Sequence, residues 1–435
     1  MKRIIAMISA AVGIFTANAQ TLTLKECLDR GLENNYQIRI ARTDEEVSAN
    51  NDSWAGAGGM PSVDLSAGYS GNMYSRNMTD QSGSVTATRD VLDHTLSASV
   101  GASWTVFNGF KVQATRDRLR ELHAQGELRT RMAIEDLVAD MVAAYYNLVR
   151  QTIRMANLNY SVELSRERVR IVQERYNIGN NSRLDLKQAQ VYLNADSAAS
   201  LKQRESLTSA MIAMQRLMGE SVFQNYEIED STIILLPARN YFSLYTDVMD
   251  NNLSLIKAES DTRLAQEEMR SVNSRNYPYL RLSAGYGYSH NIYGSGATSG
   301  RDNWGPDFGA TIGMNLIDGK HQTERKNAKL EIVSSVLSME DVTVNLMSQL
   351  TDLWQAYENN MQLVNLERQN LLTAQETHQI ACERYLIGDL SGIEMREAQE
   401  TLLDAEESLL QAEYDAKICE ISLLQISGHV MEYMK

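Results

Sequence analysis

Cysteine and proline are scarce in this chain, with three and four residues in 435. Cys27, Cys382 and Cys419 are odd in number and show no Cys-x-x-Cys spacing, so neither a disulfide framework nor a zinc site is indicated. Long apolar runs are missing after the N-terminus. No later segment holds 18 consecutive apolar residues, which excludes a transmembrane helix. Basic charge is also short: without Lys2 and Arg3 the chain has 39 basic and 56 acidic residues, a formal charge of −17. That balance argues against nucleic acid or an anionic membrane surface as partner. The six histidines are scattered, with no metal-ligand pair on a helix face and no glycine-rich phosphate loop. No cofactor, no metal and no catalytic constellation is therefore expected, and the chain is not read as an enzyme.

The N-terminus carries an export address. Lys2 and Arg3 precede an apolar run from Ile4 to Phe15, and Ala17-Asn18-Ala19 offers a small-x-small cleavage site. Residues 1–19 thus read as a secretory signal peptide, too short to span a membrane. Cys27 follows Leu24-Lys25-Glu26, without the small residues expected before a lipidated cysteine.

What is present is present twice. Shifted by 217 residues, Leu65-Ser66-Ala67-Gly68-Tyr69 falls on Leu282-Ser283-Ala284-Gly285-Tyr286. Shifted by 209, Glu174–Gly219 aligns without a gap on Glu383–Gly428 with 12 identities in 46 positions, roughly four times what average composition yields. The repeats are assigned to 20–235 and 236–435, each ordered helix, two strands, long helix, turn and helix, the first closing on a waist linker. A duplication of this size marks each half as part of a larger object.

Four segments alternate in the strand period. Val63, Leu65, Ala67 and Tyr69 alternate with small or polar residues, as do Leu96, Ala98, Val100, Ala102, Trp104 and Val106. Leu280 to Tyr288 and Phe308 to Leu316 repeat the pattern. Each run is about 9–11 residues, the length of a tilted membrane strand. A two-sheet sandwich shows the same alternation, but the export signal, the lack of further strands and the flanking Trp104, Tyr277, Tyr279, Tyr293 and Trp304 favour a barrel in outer-membrane lipid. Four strands cannot close one, because open edges in hydrocarbon leave backbone groups unpaired. Copies must join, making eight strands as a dimer or twelve as a trimer. The polar stretches from about Gly71 to Asp93 and Asn291 to Asp307 are expected as extracellular loops.

The remainder reads as helix. Phe110 to Tyr176 holds no proline and repeats apolar residues at three- and four-residue steps (Ile134, Val138, Met141, Tyr145, Leu148), and His321 to Tyr385 does likewise. Each is roughly 65 residues, or ~100 Å at the helical rise. The other helices, Leu24–Trp54, Leu184–Leu217, Tyr241–Asn273 and Ile393–Ile426, are about half as long, so two stacked end to end match one long helix. The linker 219–240 is expected where they meet.

Both helix hairpins carry Tyr-x-x-Gly-x-x-Ser: Tyr176, Gly179, Ser182 and Tyr385, Gly388, Ser391. Glycine suits the left-handed residue that ends a helix. Ser182 with Asp185, and Ser391 with Glu394, have the spacing of capping boxes. Glu397 lies one turn beyond Glu394 with no capping role, and in a ring assembly the two acids would recur around the axis.

With these residues in place, the whole mature chain resembles the TolC-family outer-membrane efflux proteins. The specific points of likeness are the two turns and the strand-to-helix junctions Phe107-Asn108-Gly109 and Ile317-Asp318-Gly319. The resemblance implies a mainly α mixed fold: a homotrimer with a 12-stranded transmembrane β-barrel, four strands per chain, continued by a long periplasmic α-helical barrel. It implies the outer membrane of a Gram-negative bacterium, with a periplasmic adaptor (a membrane fusion protein) and an inner-membrane pump as partners. The function implied is the exit duct of a tripartite efflux pump or a type I secretion system. It places a periplasmic gate at Asp185, Tyr385, Glu394 and Glu397, and adaptor docking at Tyr176, Gly179, Ser182, Tyr385, Gly388 and Ser391. The sequence departs from the family at Leu390, where an Arg is common; Arg183 is the candidate substitute for its latch to Asp185. A passive porin-like pore would not need such helices, and a structural coiled-coil spacer would not need lipid-type strands.

Overall fold

The computed structural model describes residues 20–221, 226–237 and 239–434; the signal peptide assigned to 1–19 lies outside them. In order, the elements are β1 (Gln20–Leu22), α1 (Leu24–Asn34), α2 (Tyr36–Asn51), β2 (Ser62–Thr79), β3 (Val85–Asn108), α3 (Lys111–Asn177), α4 (Arg183–Met218), β4 (Tyr226–Ile228), α5 (Tyr241–Asn251), α6 (Leu253–Asn273), β5 (Tyr279–Ile292), β6 (Gly300–Gly313), α7 (Gly319–Ile387) and α8 (Gly392–Ile426). The chain divides into two compact units. One unites the residues up to Ala41 with Thr130–Leu255 and those from Thr343 on; the other unites Arg42–Arg129 with Ile256–Val342.

The second unit holds an antiparallel sheet in the order β2-β3-β5-β6. Its register collects the alternating apolar residues into rows. Val63 faces Ala102, which faces Ala284, which faces Phe308; Ala67 leads in the same way through Ala98 and Tyr288 to Trp304. The opposite face carries rows such as Ser66, Ser99, Gly287 and Gly305. The apolar face is bare in the single chain: Phe308 is 89% exposed, Leu65 80% and Ile312 76%. A continuous apolar surface of this kind marks a lipid or partner contact.

The strands outrun the 9–11 residues expected of them. Most of 71–93 and 291–307 is ladder, leaving 80–84 and 293–299 as the connections. Glycine, serine and asparagine look loop-like by composition, but a registered antiparallel pair goes on satisfying backbone groups wherever both strands continue. The β2–β3 ladder runs out to Thr79 opposite Val85, where the Asp80 carboxylate accepts from the amides of Ser82 and Ser84, both at 2.9 Å. β6, by contrast, ends at Gly313, short of the expected Leu316.

At the junction from β3 to α3, Gly109 has φ +69°, and a Cβ there would lie 2.0 Å from the Ser274 carbonyl oxygen. Only glycine fits. Asn108 then caps α3, its Oδ1 accepting from the Val112 amide at 3.2 Å. In the second repeat Asp318 Oδ1 takes the Lys320 and His321 amides at 3.0 and 3.2 Å. Ion pairs Arg263–Glu121 (2.6 Å) and Arg270–Asp117 (3.2 Å) join α6 to α3.

The first unit owns the main hydrophobic core. Val138, Met141, Tyr145 and Leu148 of α3 are 0–1% exposed and meet Cys27 and Leu28 of α1 and Met214 and Met218 of α4. Each large side chain buried this way contributes about 1.5–3 kcal/mol. Gly31 permits the close approach of α1, since a Cβ there would meet Met141 Sδ at 2.3 Å. The linker that follows α4 contributes β4, which pairs in parallel with β1. The two helices expected over Leu24–Trp54 and Tyr241–Asn273 are each broken, at Asn35 and at Asn252, and not continuous.

Candidate functional site

The two hairpin turns are built alike. Gly179 and Gly388 sit in the left-handed region at φ +83° and +84°. The Gly179 amide donates to Tyr176 O (3.0 Å) and the Asn180 amide to Arg175 O (2.8 Å); Gly388 and Asp389 repeat this to Tyr385 O and Arg384 O at 3.2 and 2.9 Å. Such paired bonds satisfy the orphan carbonyls at a helix end and require a residue that tolerates positive φ. Three residues later both capping boxes are formed. Ser182 Oγ accepts from the Asp185 amide at 3.2 Å while Asp185 Oδ2 accepts from the Ser182 amide at 2.9 Å. Ser391 and Glu394 have the same two distances.

Two of the four proposed gate acids and tyrosines therefore have a structural duty. The Ser391 hydroxyl and amide, donating to the exposed Glu394 carboxylate, hold it below the usual carboxylate range. Glu397 is exposed one turn further along, outside both boxes. The duplicated tyrosines differ: Tyr385 is 6% exposed, Tyr176 39%. Tyr385 packs with Ala381, Met395 and Ala398, flanked by Ile171 and Leu390. Burial pushes its phenol up in pKa, against the opposing pull of Arg175 and Arg168. Its hydroxyl has no hydrogen-bond partner among the described residues.

Asp185 and Tyr385 come together at a cavity of about 290 Å³ between the hairpins, which Arg168, Arg175 and Leu390 also line; Glu394 and Glu397 lie outside its lining. Arg183, the candidate latch, is exposed. At the tips Arg175 crosses between the hairpins, its Nη2 donating to Tyr385 O and Leu386 O at 3.2 Å each. Leu390, at the position where the family commonly has an Arg, is a packing residue beside Tyr385.

Behind the tips lies a buried polar layer. Arg396 of α8 makes a two-pronged pair with Asp196 of α4 at 2.7 and 2.9 Å and stacks 5.1 Å from the Tyr192 ring centre. Ser165 of α3 also bonds Asp196, and Gln399 bonds Arg168 and, at 2.9 Å, Ser161 Oγ. Sequence inspection missed this layer because its bonds between hairpins join residues 200 and more apart. A signal was there: Asp196 aligns with Ala405 and Arg396 with Lys187, so the pair breaks the repeat.

Residues 27–220 and 244–429 match the family of outer membrane efflux proteins. The chain belongs to that family. As a member it is an outer membrane efflux protein. The outer membrane protein TolC of Vibrio cholerae is 20% identical, over 99% of this chain and 97% of its own length. Nodulation protein T of Rhizobium leguminosarum bv. viciae is 23% identical over 90% of this chain and 78% of its own. Among solved structures, a membrane protein from Pseudomonas aeruginosa superposes with a TM-score of 0.76 at 16% identity, covering 95% of this chain and 91% of that one. The Campylobacter jejuni CmeC outer membrane channel gives 0.75 at 16%, covering 93% and 85%. At such identities these neighbours share the fold of this efflux protein.

Proposed function

We propose that three copies of the chain close a twelve-stranded barrel in the outer membrane and surround a periplasmic passage with their helical hairpins. A periplasmic adaptor and an inner-membrane pump complete the conduit, and the chain itself carries out no chemistry. The observation that carries this reading is the sheet: four strands, an apolar face bare across all of them, and edge strands β2 and β6 each paired on one side only. In lipid those edges must find partners, and β6 of one copy against β2 of the next supplies them. Residues 1–19 are then an export signal removed on the way, and 20–235 and 236–435 two repeats of one ancestral unit.

The hairpin tips fit docking and gating. Ile178, Leu184, Ile387 and Ile393 are each at least 60% exposed around the two glycine turns, an apolar fringe suited to the tip of an adaptor. Asp185, Tyr385, Glu394 and Glu397 are assigned to the gate. Mass measurement in mild detergent is expected to return three copies, and a monodisperse monomer or dimer would contradict the assembly. Gly179→Val and Gly388→Val are expected to keep the trimer and lose the adaptor in pull-down, because valine resists positive φ. Docking unchanged in both variants would remove the tips from the interface.

A further inference from the structure

Arg168 of α3 is a buried cation without an acid of its own. It is 6% exposed, and its Nη2 donates to the neutral side chain of Gln399. Its Nη1 has no hydrogen-bond partner among the described residues. The acid behind it is already engaged: Asp196 takes the Arg396 guanidinium with both oxygens, at 2.7 and 2.9 Å, and bonds Ser165 as well. Burial, with the like charge of Arg396 adding to it, lowers the pKa of Arg168. A buried charge left uncompensated is costly, and guanidinium groups meet that cost by pairing with oxyanions.

Arg168 lines the cavity of about 290 Å³ between the hairpins. Tyr385 lines it too, is equally buried, and its hydroxyl is likewise without a partner among the described residues. Arg175 lines the same cavity, 5.1 Å from the Tyr385 ring centre, and both guanidinium charges act on the Tyr385 phenol. Two cations thus meet one lining carboxylate, Asp185. That carboxylate serves its own helix cap, where its Oδ2 accepts from the Ser182 amide and hydroxyl, both at 2.9 Å.

We infer that this cavity is a binding site for a small inorganic oxyanion, which accepts from Arg168 Nη1 and the Tyr385 hydroxyl with Arg175 alongside. Two guanidinium groups turn a cation away, and an apolar molecule would leave both donors unpaired. The planar guanidinium suits the oxygens of an oxyanion better than a point charge does. The space is several times the ~30 Å³ share of one water molecule, yet it falls at the small end of the roughly 300–1,000 Å³ pockets that take drug-sized ligands. The site occurs once per chain. At the offset of 209 Arg168 falls on Thr377, which has no charge, and Tyr385 falls on the far more exposed Tyr176. It needs only that the hairpins pack as they do, and it stands or falls separately from the gate and the conduit proposed above.

The experiment is calorimetric titration of sodium sulfate into the full-length protein in mild detergent, against chloride at equal ionic strength so that screening stays constant. The proteins are wild type, Tyr385→Phe, Arg168→Gln, Asp185→Asn and Arg384→Gln. Wild type is expected to bind one sulfate per chain saturably. Tyr385→Phe removes one charge-assisted bond and is expected to bind about tenfold more weakly. Its melting temperature without sulfate should not fall, since the lost hydroxyl had no partner. Arg168→Gln is expected to show no saturable binding; should it fail to fold, Tyr385→Phe decides the matter. Asp185→Asn, with one like charge fewer, is expected to bind at least as tightly as wild type. Arg384→Gln, whose arginine pairs with Asp389 outside the cavity, is expected to match wild type. No saturable binding in wild type or Asp185→Asn would overturn the site and leave the cavity to water. Binding in Asp185→Asn alone would overturn it too, because Asp185 would then be the anion that fills it. Wild-type affinity in both Tyr385→Phe and Arg168→Gln, or equal weakening by Arg384→Gln, would place the sulfate elsewhere on the surface.

Discussion

The Asn35 side-chain amide donates to the Leu217 carbonyl at 2.8 Å, tying the start of one short helix to the end of another. Its Oδ1 also accepts from the Gln37 amide at 2.8 Å and so caps α2. Asn252 repeats both roles in the second repeat, to the Ile426 carbonyl at 2.9 Å and from the Ser254 amide at 2.9 Å. Next to each, a glycine leaves room: a Cβ at Gly219 would lie 2.6 Å from Asn34 O, and one at Gly428 2.9 Å from the Asn251 side chain. Asn35→Ala loses a cap and strands a carbonyl, so about 1–3 kcal/mol of stability should go, and Asn252→Ala should cost a similar amount. Denaturant titration checks this. Asn35→Asp separates the two roles, since aspartate caps but cannot donate to Leu217 O; stability equal to wild type would show that the cap alone matters.

Much of this was legible in the sequence, and the reasons differ by element. The strand faces were readable because side chains alternate with period two, and one strand's pattern fixes its neighbour's rows. The hairpin turns were readable because Gly179 and Gly388 sit three residues before a serine in both repeats. The breaks at Asn35 and Asn252 were not, since no proline or glycine marks them. Their sign was the pair Asn34-Asn35 recurring as Asn251-Asn252 at the same offset of 217. β1 and β4 are three residues each and are paired across two hundred residues, too short and too distant for periodicity to reveal. The Arg175 tie was hidden for a similar reason. Its acceptors are backbone carbonyls, which leave no trace in side-chain pattern.

Gly109 should tolerate no side chain. Gly109→Ala meets the Ser274 carbonyl and positive φ together, and the expected result is loss of folded protein from outer-membrane fractions, with Gly101→Ala, where a Cβ meets nothing within 4 Å, as the tolerated control. Normal yield from Gly109→Ala would mean that the junction rearranges freely.

Cys27 should be chemically silent in the folded protein. It is fully buried, and burial pushes its thiol up to about 12, against the opposing pull of Arg30. A maleimide at pH 8 should label it only after denaturation, as read by peptide mass. Labelling of the native protein at Cys27 would show that the α1–α3 core opens.

The cap on α8 should be lost in acid. The folded Glu394 pKa lies below its ordinary value of 4.5, so its contribution is fully present above pH 4.5 and disappears as the pH falls through the lower folded value. Amide protection in the first turn of α8 should drop over that range in wild type. In Glu394→Gln, which accepts the same bond without titrating, it should stay level. Identical acid sensitivity in both would assign the loss to another group.

In the channel proposed above, the periplasmic mouth carries Glu394 and Glu397 from each copy. Acids recurring around one axis attract cations, and Glu394 is partly engaged by its cap, so Glu397 should bear most of the effect. The direct measurement is conductance in a planar bilayer with a trivalent cation added on the periplasmic side, for wild type, Glu397→Gln and the double variant Glu394→Gln, Glu397→Gln. Wild type should favour cations and be blocked, Glu397→Gln should lose most of the block, and the double variant nearly all of it. Equal selectivity and equal block in the three proteins would remove the acids from the mouth and leave both as surface residues.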